Sequence, residues 1–128
     1  MADVLLFPLE GPHVVVAAVP GEPGSAVISR LHDGAAVGSV VLARDGGTLT
    51  IERLCIEPVY RGYGAGSEAA RLLIDAATAH GYDAVRAWAP PNLGLAVYFW
   101  FRMGLRPLHG PGPDGGLALE CDLSTRRR

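Results

Sequence analysis

The stretch Leu54-Cys55-Ile56-Glu57-Pro58-Val59-Tyr60-Arg61-Gly62-Tyr63-Gly64-Ala65-Gly66-Ser67 decides how this chain is read. It runs from a strand through a glycine-rich loop into a helix N-terminus. Gly62, Gly64 and Gly66 let the backbone turn tightly and approach a ligand with no Cβ in the way. The helix behind them presents unpaired N–H groups and the positive end of its dipole. Together these form a phosphate site built mostly of backbone, and Arg61 adds a full positive charge at its entrance. A P-loop needs a lysine, and the chain contains none. A Rossmann fingerprint needs G-x-G-x-x-G after the first strand of a βαβ unit, whereas the spacing here is Gly62-x-Gly64-x-Gly66. From these residues alone, a glycine-rich turn that merely joins strand to helix stays open as the competing reading.

Upstream, the chain reads as a meander of strands. Leu5 to Phe7, His13 to Val19 and Ala26 to Leu31 are short apolar runs punctuated by Pro12, Pro20, Gly21, Pro23 and Gly24. A turn at His32-Asp33-Gly34 leads to a strand over Ala36 to Arg44. Asp45-Gly46-Gly47 is a hairpin signal, and Thr48 to Ile56 follows as its second arm. Downstream, the period changes. Ala69, Leu72, Leu73, Ala76 and Ala77 form the stripe of an amphipathic helix over Ser67 to His80. Glu68, Arg71 and Asp75 occupy its other face, and Gly81 stops it. Asp83 to Ala89 predicts a strand ended by Pro90-Pro91. Leu93 to Met103 predicts a helix, apolar almost all round, which suits burial or an interface. Leu117 to Leu123 predicts the last strand, after a Gly/Pro-rich loop. The expected class is α/β (α+β): a mixed, mainly antiparallel sheet flanked by helices.

Composition narrows the function classes. The chain has 128 residues, 49% apolar and 19% charged, which is enough to bury a core and argues against disorder. One domain over 1–128 is expected, with atypical strands and turns over 1–25 and a frayed basic tail over 124–128. The net charge of −2 gives no broad electrostatic footprint for nucleic acid. No apolar run approaches the roughly 18 residues of a membrane span. Met1-Ala2-Asp3 lacks the basic region of a signal peptide, so a cytoplasmic protein without a membrane partner is expected. Apart from the 4 histidines, all 11 basic residues are arginine. With the many Ala, Gly and Pro residues, this fits the coding bias of a GC-rich, bacterial-like genome. Cys55 and Cys121 sit in strand-like runs and are expected as buried structural thiols. No Cys/His spacing suggests a metal. His13, His32, His80 and His109 are scattered.

Arg61-Gly62-Tyr63-Gly64-Ala65-Gly66 resembles the acetyl-CoA loop of the GNAT N-acetyltransferase superfamily, whose signature is Arg/Gln-x-x-Gly-x-Gly/Ala. The strand before it, Ile51-Glu52-Arg53-Leu54-Cys55-Ile56-Glu57-Pro58, resembles the family's fourth strand. A later family motif is matched by Ala96, Phe99-Trp100 and Gly104-Leu105. The resemblance spans residues 26 to 123. It implies two central strands that splay apart, with the pantetheine arm of acetyl-CoA in the gap. It assigns the backbone of Leu54, Cys55 and Ile56 to that arm. It gives the pyrophosphate to the loop Arg61, Gly62, Tyr63, Gly64, Ala65 and Gly66, with Ser67. Asn92 lies near a family asparagine that contacts the cofactor; a helix N-cap is its other reading.

The implied reaction is transfer of an acetyl group from acetyl-CoA to a primary amine of a small molecule or protein. The alternative is a non-catalytic acyl-CoA-binding or interaction module with the same fold. Transfer needs a backbone donor for the oxyanion, which Leu54 to Ile56 can supply. It also needs a base, and Glu52, upstream on the same strand, is the candidate; its other reading is a surface carboxylate paired with an arginine. Glu57 reads as a solvated loop residue. Two departures stand out. The family's usual tyrosine acid is replaced by Trp100, whose indole N–H can only donate a hydrogen bond. Tyr98 lies about 200° away around the helix and faces elsewhere. The helices that wall the family's acceptor site are also missing, since Val19 to Ser25 is only a turn. The acceptor site is therefore expected to be open, or completed in a homodimer through the apolar helix 93–103.

Overall fold

The computed structural model describes residues 4–90, 94–108 and 116–124. Among them, eight strands form one sheet and two helices accompany it. The strands are β1 (Leu9–Glu10), β2 (Val14–Ala18), β3 (Ser25–Arg30), β4 (Ala36–Asp45), β5 (Thr48–Ile56), β6 (Ala84–Ala89), β7 (Arg106–Pro107) and β8 (Leu117–Asp122). Helix α1 spans Ala65–His80 and α2 spans Gly94–Arg102. The sheet order is β1-β2-β3-β4-β5-β6-β8-β7. The expected meander is present: β1 to β5 pair antiparallel in sequence order. Asp45 faces Thr48 across the two glycines, and Gly46 has φ 58, the left-handed geometry that a two-residue hairpin loop demands. β5 and β6 pair parallel across the α1 crossover, and β8 closes antiparallel onto β6.

Helix α1 buries Ala69, Leu73 and Ala77 against the sheet as its stripe predicts, but Leu72 and Ala76 are only half-buried, and Ala70 and Ile74 are buried in their place. The helix stops at Gly81, whose φ of 97 suits glycine; its N–H meets the Thr78 carbonyl and the Tyr82 N–H meets that of Ala77. Val14, Val16, Ala26, Ile28, Val40, Leu42 and Ile51 supply the sheet side of the same core. Both helices lie on that side, because Gly66 at the start of α1 stands against Phe99 of α2 and Trp100 joins the core. The opposite face carries Val15, Ala17, Val27, Val41 and Ala43, all half-buried. No helix among the described residues covers it.

Several expectations are corrected. The first strand is Leu9–Glu10, not Leu5 to Phe7; pairing begins only after Pro8, which has no N–H to give a ladder, while Leu5 is buried in the core. Helix α1 begins at Ala65, two residues before Ser67, because its cap is Gly64 with φ 83. Helix α2 buries only Trp100 fully; Leu95 and Tyr98 are 84% and 61% exposed, and Phe101 is exposed too. Cys55 is exposed and Cys121 half-buried, so neither is a fully buried thiol. Strand β5 leaves the cover of its neighbour before it reaches Cys55. The short strand β7 pairs with β8 and gave no periodic signal.

Glu68 is the unexpected structural residue. Helical periodicity put it on the solvent face of α1. Instead its Oε2 accepts the backbone N–H groups of His13 at 2.8 Å and Val14 at 2.7 Å, and its Oε1 meets His13 Nδ1 at 3.0 Å. Its carboxylate thus replaces the ladder partners that the start of β2 lacks. Burial works against the charge, but these hydrogen bonds outweigh it and hold the carboxyl below its ordinary value. A Cβ on Gly11 would fall 2.5 Å from Glu68 Oε2, so the carboxylate would have to move off the hydrogen bonds it accepts.

Glu68→Gln is expected to cost about 1–3 kcal/mol in chemical unfolding at neutral pH. The folded carboxyl titrates below the unfolded one, so its contribution is complete above the unfolded value. It is lost as pH falls through the folded value. The gap between wild type and Glu68→Gln therefore narrows in acid. Gly11→Ala should destabilise the wild type more than it destabilises Glu68→Ala, which a double-mutant cycle reads directly.

Candidate active site

Strands β5 and β6 stay paired only from Thr48–Ala84 to Ile51–Ala87. Beyond Ile51 they part, while β5 keeps its pairing to β4 as far as Ile56. The direction of each backbone group follows from one bond. The Glu57 N–H meets the Val37 carbonyl at 2.8 Å. That makes Gly38–Ile56 a non-hydrogen-bonded pair, and two residues along the same holds for Val40–Leu54. Leu54 and Ile56 therefore turn their N–H and C=O groups away from β4, into the gap. Cys55, opposite Ser39, gives its backbone to β4 instead. Of the three residues expected to face the gap with their backbone, the register brings two.

The glycine loop lies at the end of this gap. After a 3-10 turn at Pro58–Tyr60, Gly62 and Gly64 adopt φ 90 and 83, conformations closed to most side chains. Gly64 caps α1 without a side chain. The Glu68 N–H is the first to return into the helix, to the Gly64 carbonyl at 3.0 Å. The N–H groups of Ala65, Gly66 and Ser67 precede it and have no intrahelical acceptor. Arg61 folds back over the strand end, its Nε donating to the Ile56 carbonyl at 2.9 Å. That bond fixes the guanidinium between loop and gap. Tyr63 is exposed beside it.

A cavity of about 570 Å³ fills the space between the parted strands. Ile51 to Ile56, Arg61 and Gly66 form one wall; Trp88 to Pro90 of β6 and Ala96, Phe99 and Trp100 of α2 form the other. The α1 and α2 sides meet closely, since a Cβ on Gly66 would touch Ile56, Leu54 and Phe99. Trp100 is buried, its ring edge-on to Phe99 with centroids 4.9 Å apart. Tyr98 does not line the cavity and lies under the Arg102 guanidinium. Glu52 lines the cavity, is exposed and has no ion pair within 4.0 Å among the described residues. Glu57 is exposed at the loop. Asn92 lies outside the described residues. The family motif marks Ala96, Phe99 and Trp100 of this wall, whereas Trp88, Ala89 and Pro90 have no motif of their own and are identified only by the parting of the two strands.

The arrangement offers backbone hydrogen bonds along a gap, anion-binding N–H groups at its end and a carboxylate at its start. The sequence profile of the acetyltransferase (GNAT) family matches residues 9–104. A comparison with curated proteins gives no match. Among solved structures, the chain is similar to a GNAT family acetyltransferase from Elizabethkingia anophelis with acetyl-CoA bound, at 12% identity and TM-score 0.71 over 88% of this chain and 99% of that one. It is also similar to the ribosomal-protein-S18-alanine N-acetyltransferase from Escherichia coli, at 14% identity and TM-score 0.67 over 90% and 72%. A third is the PaiA N-acetyltransferase from Thermoplasma acidophilum in complex with coenzyme A, at 16% identity and TM-score 0.62 over 78% and 62%. At these identities the structures speak for the fold, and with the profile match across most of the sequence the chain belongs to the GNAT acetyltransferase family.

Proposed function

We propose that the protein is an N-acetyltransferase that moves an acetyl group from acetyl-CoA to a primary amine. One observation carries this reading: the polar backbone groups of Leu54 and Ile56 face a gap that leads to the loop Arg61–Ser67. The residues fit the cosubstrate by chemistry. Pantetheine is a chain of amides, and the gap offers the Leu54 N–H and C=O and the Ile56 N–H; the Ile56 carbonyl is taken by Arg61. Pyrophosphate is anionic, and the helix N-terminus and the Arg61 guanidinium are its complement. The relatives whose structures hold acetyl-CoA or coenzyme A support the same assignment. When bound, acetyl-CoA supplies an activated thioester.

Each remaining task has a residue. The Leu54 N–H, on the gap side of β5, is the donor for a developing oxyanion. Glu52 takes the proton that the amine must lose, directly or through water. In the transfer an N–C bond forms, the C–S bond breaks and the electron pair leaves with sulfur. Among the described residues no tyrosine lines the cavity, so the thiolate departs without a phenol to protonate it, which a thiol with a pKa of about 8.5 can do. That same observation favours the second reading, an acyl-CoA-binding module without turnover. The exposed stripe Leu95, Tyr98 and Phe101 on α2 supports a homodimer through this helix.

Calorimetry with acetyl-CoA should show micromolar binding that weakens about tenfold or more in Arg61→Ala. Absence of binding at millimolar ligand, in folded protein, would remove the reading. Glu52→Gln should keep acetyl-CoA affinity and lower kcat on the order of 10²-fold or more; binding without turnover in both forms selects the module instead. Trp100→Tyr should raise kcat by about tenfold, whereas Trp100→Phe should not. In sedimentation, Leu95→Glu should turn a dimer into a monomer, and a wild type that is already monomeric rejects the α2 interface.

A further inference from the structure

The turn of charge at Glu52 and Arg53 points to the acceptor. Between β4 and β5 the register slips: Val41 faces Arg53 and Leu42 faces Ile51, which leaves Glu52 as an extra residue on β5. This is a β-bulge, and it resets the alternation of side chains. Ile51 and Leu42 are buried on the helix side. Glu52 follows on the opposite side, and Arg53 stays there with its partner Val41. A regular strand would have sent these two side chains to opposite faces. Here an acid and a base stand side by side on the face that no described helix covers, and both line the cavity. Their α-carbons are separated by about 3.8 Å.

Both charges are uncommitted. On the same face Arg86 and Glu120 hold each other at 2.7 Å. Glu52 and Arg53 have no ion pair within 4.0 Å among the described residues. Glu52 is also the first residue past the last β5–β6 pair, Ile51–Ala87, so it stands where the gap opens. Across the gap Trp88 is half-buried and presents an apolar ring. A ligand matching this surface carries a cation for Glu52 and, within a few bonds of it, an anion for Arg53. The guanidinium fork suits a carboxylate, which it can grip through two parallel hydrogen bonds.

We infer that the acceptor is a free α-amino acid, its amine at Glu52 and its carboxylate held by Arg53 as a specificity-determining residue. This rests on the transfer reading above and narrows its acceptor. Polyamines and peptide N-termini lack the adjacent carboxylate and leave Arg53 without a partner. The uncovered face, with Trp88 beside it, leaves room for apolar side chains of different size.

The test compares three primary amines with the same aromatic group, phenylalanine, phenylalaninamide and phenethylamine, each rate being corrected for the fraction of that amine unprotonated at the assay pH. Product is measured by mass spectrometry with acetyl-CoA in excess. The wild type should favour phenylalanine over its amide by about tenfold or more in kcat/KM. Arg53→Gln should abolish that preference by slowing only the acid, with the amide within about twofold, and Arg53→Lys should restore part of it. Saturation-transfer NMR with the CoA-loaded protein should show phenylalanine bound to wild type and lost in Arg53→Gln. Equal rates for acid and amide, or an equal loss of both in Arg53→Gln, overturn the inference. Acetyl-CoA calorimetry on the same samples separates the failures. Binding with no preference for the acid rejects the amino-acid acceptor and leaves transfer standing; no binding rejects both.

Discussion

The structure turns on the parting of β5 from β6 after only four paired residues on each strand. A strand in the middle of a sheet ordinarily has all its N–H and C=O groups paired. Here Leu54 and Ile56 face an open gap while Cys55 between them stays bonded to β4. The unpaired groups cannot be buried against apolar atoms without cost, so the gap must remain wet or be filled by something polar and extended. The other features follow from that demand. The loop at Gly62 and Gly64 must bend sharply to carry the chain from the strand end to α1. Arg61 satisfies one of the exposed carbonyls and fixes the loop to the strand. Phe99 and Trp100 close the far side without offering a competing strand.

The N-terminal segment solves a related problem with a side chain. The residues that begin β2 need hydrogen-bond acceptors, and Glu68 provides them from the first turn of α1. An acid near a helix N-terminus is also favoured by the dipole. The same carboxylate thus links the loop side of the helix to the sheet edge. Among the described residues, β1 to β5 are joined only by turns and tight loops.

The parts legible in the sequence are those with a short repeat. The meander, the Asp45-Gly46-Gly47 hairpin, the α1 stripe and the loop glycines all lie within windows where period and turn chemistry act locally. The family resemblance rests on that same loop. What stayed hidden depends on distant partners. Nothing near Glu68 marks the backbone of His13 and Val14 as its acceptor-seeking neighbours. Nothing near Cys55 says that β6 will have turned away before the strand reaches it. The bulge at Glu52 is invisible too, because a single extra residue leaves the local pattern Thr50-Ile51-Glu52-Arg53-Leu54 looking like an ordinary strand end. The stripe of α2 misled in the opposite sense: an apolar composition promised burial, and only Trp100 received it.

The sheet face that no described helix covers bears on how such a protein can change over time. Its side chains hang on a framework whose core lies on the other side, so the core does not depend on them closely. Substitutions at its exposed positions, such as Glu52 and Arg53, usually shift stability by no more than about 0.5 kcal/mol. A family member walled by helices must repack an enclosure to accept a new substrate. In this chain the exposed residues of that face and the residues that hold the fold are largely separate sets. On the acceptor reading proposed above, selectivity can drift through single exposed side chains while the scaffold, and the gap within it, stays as it is.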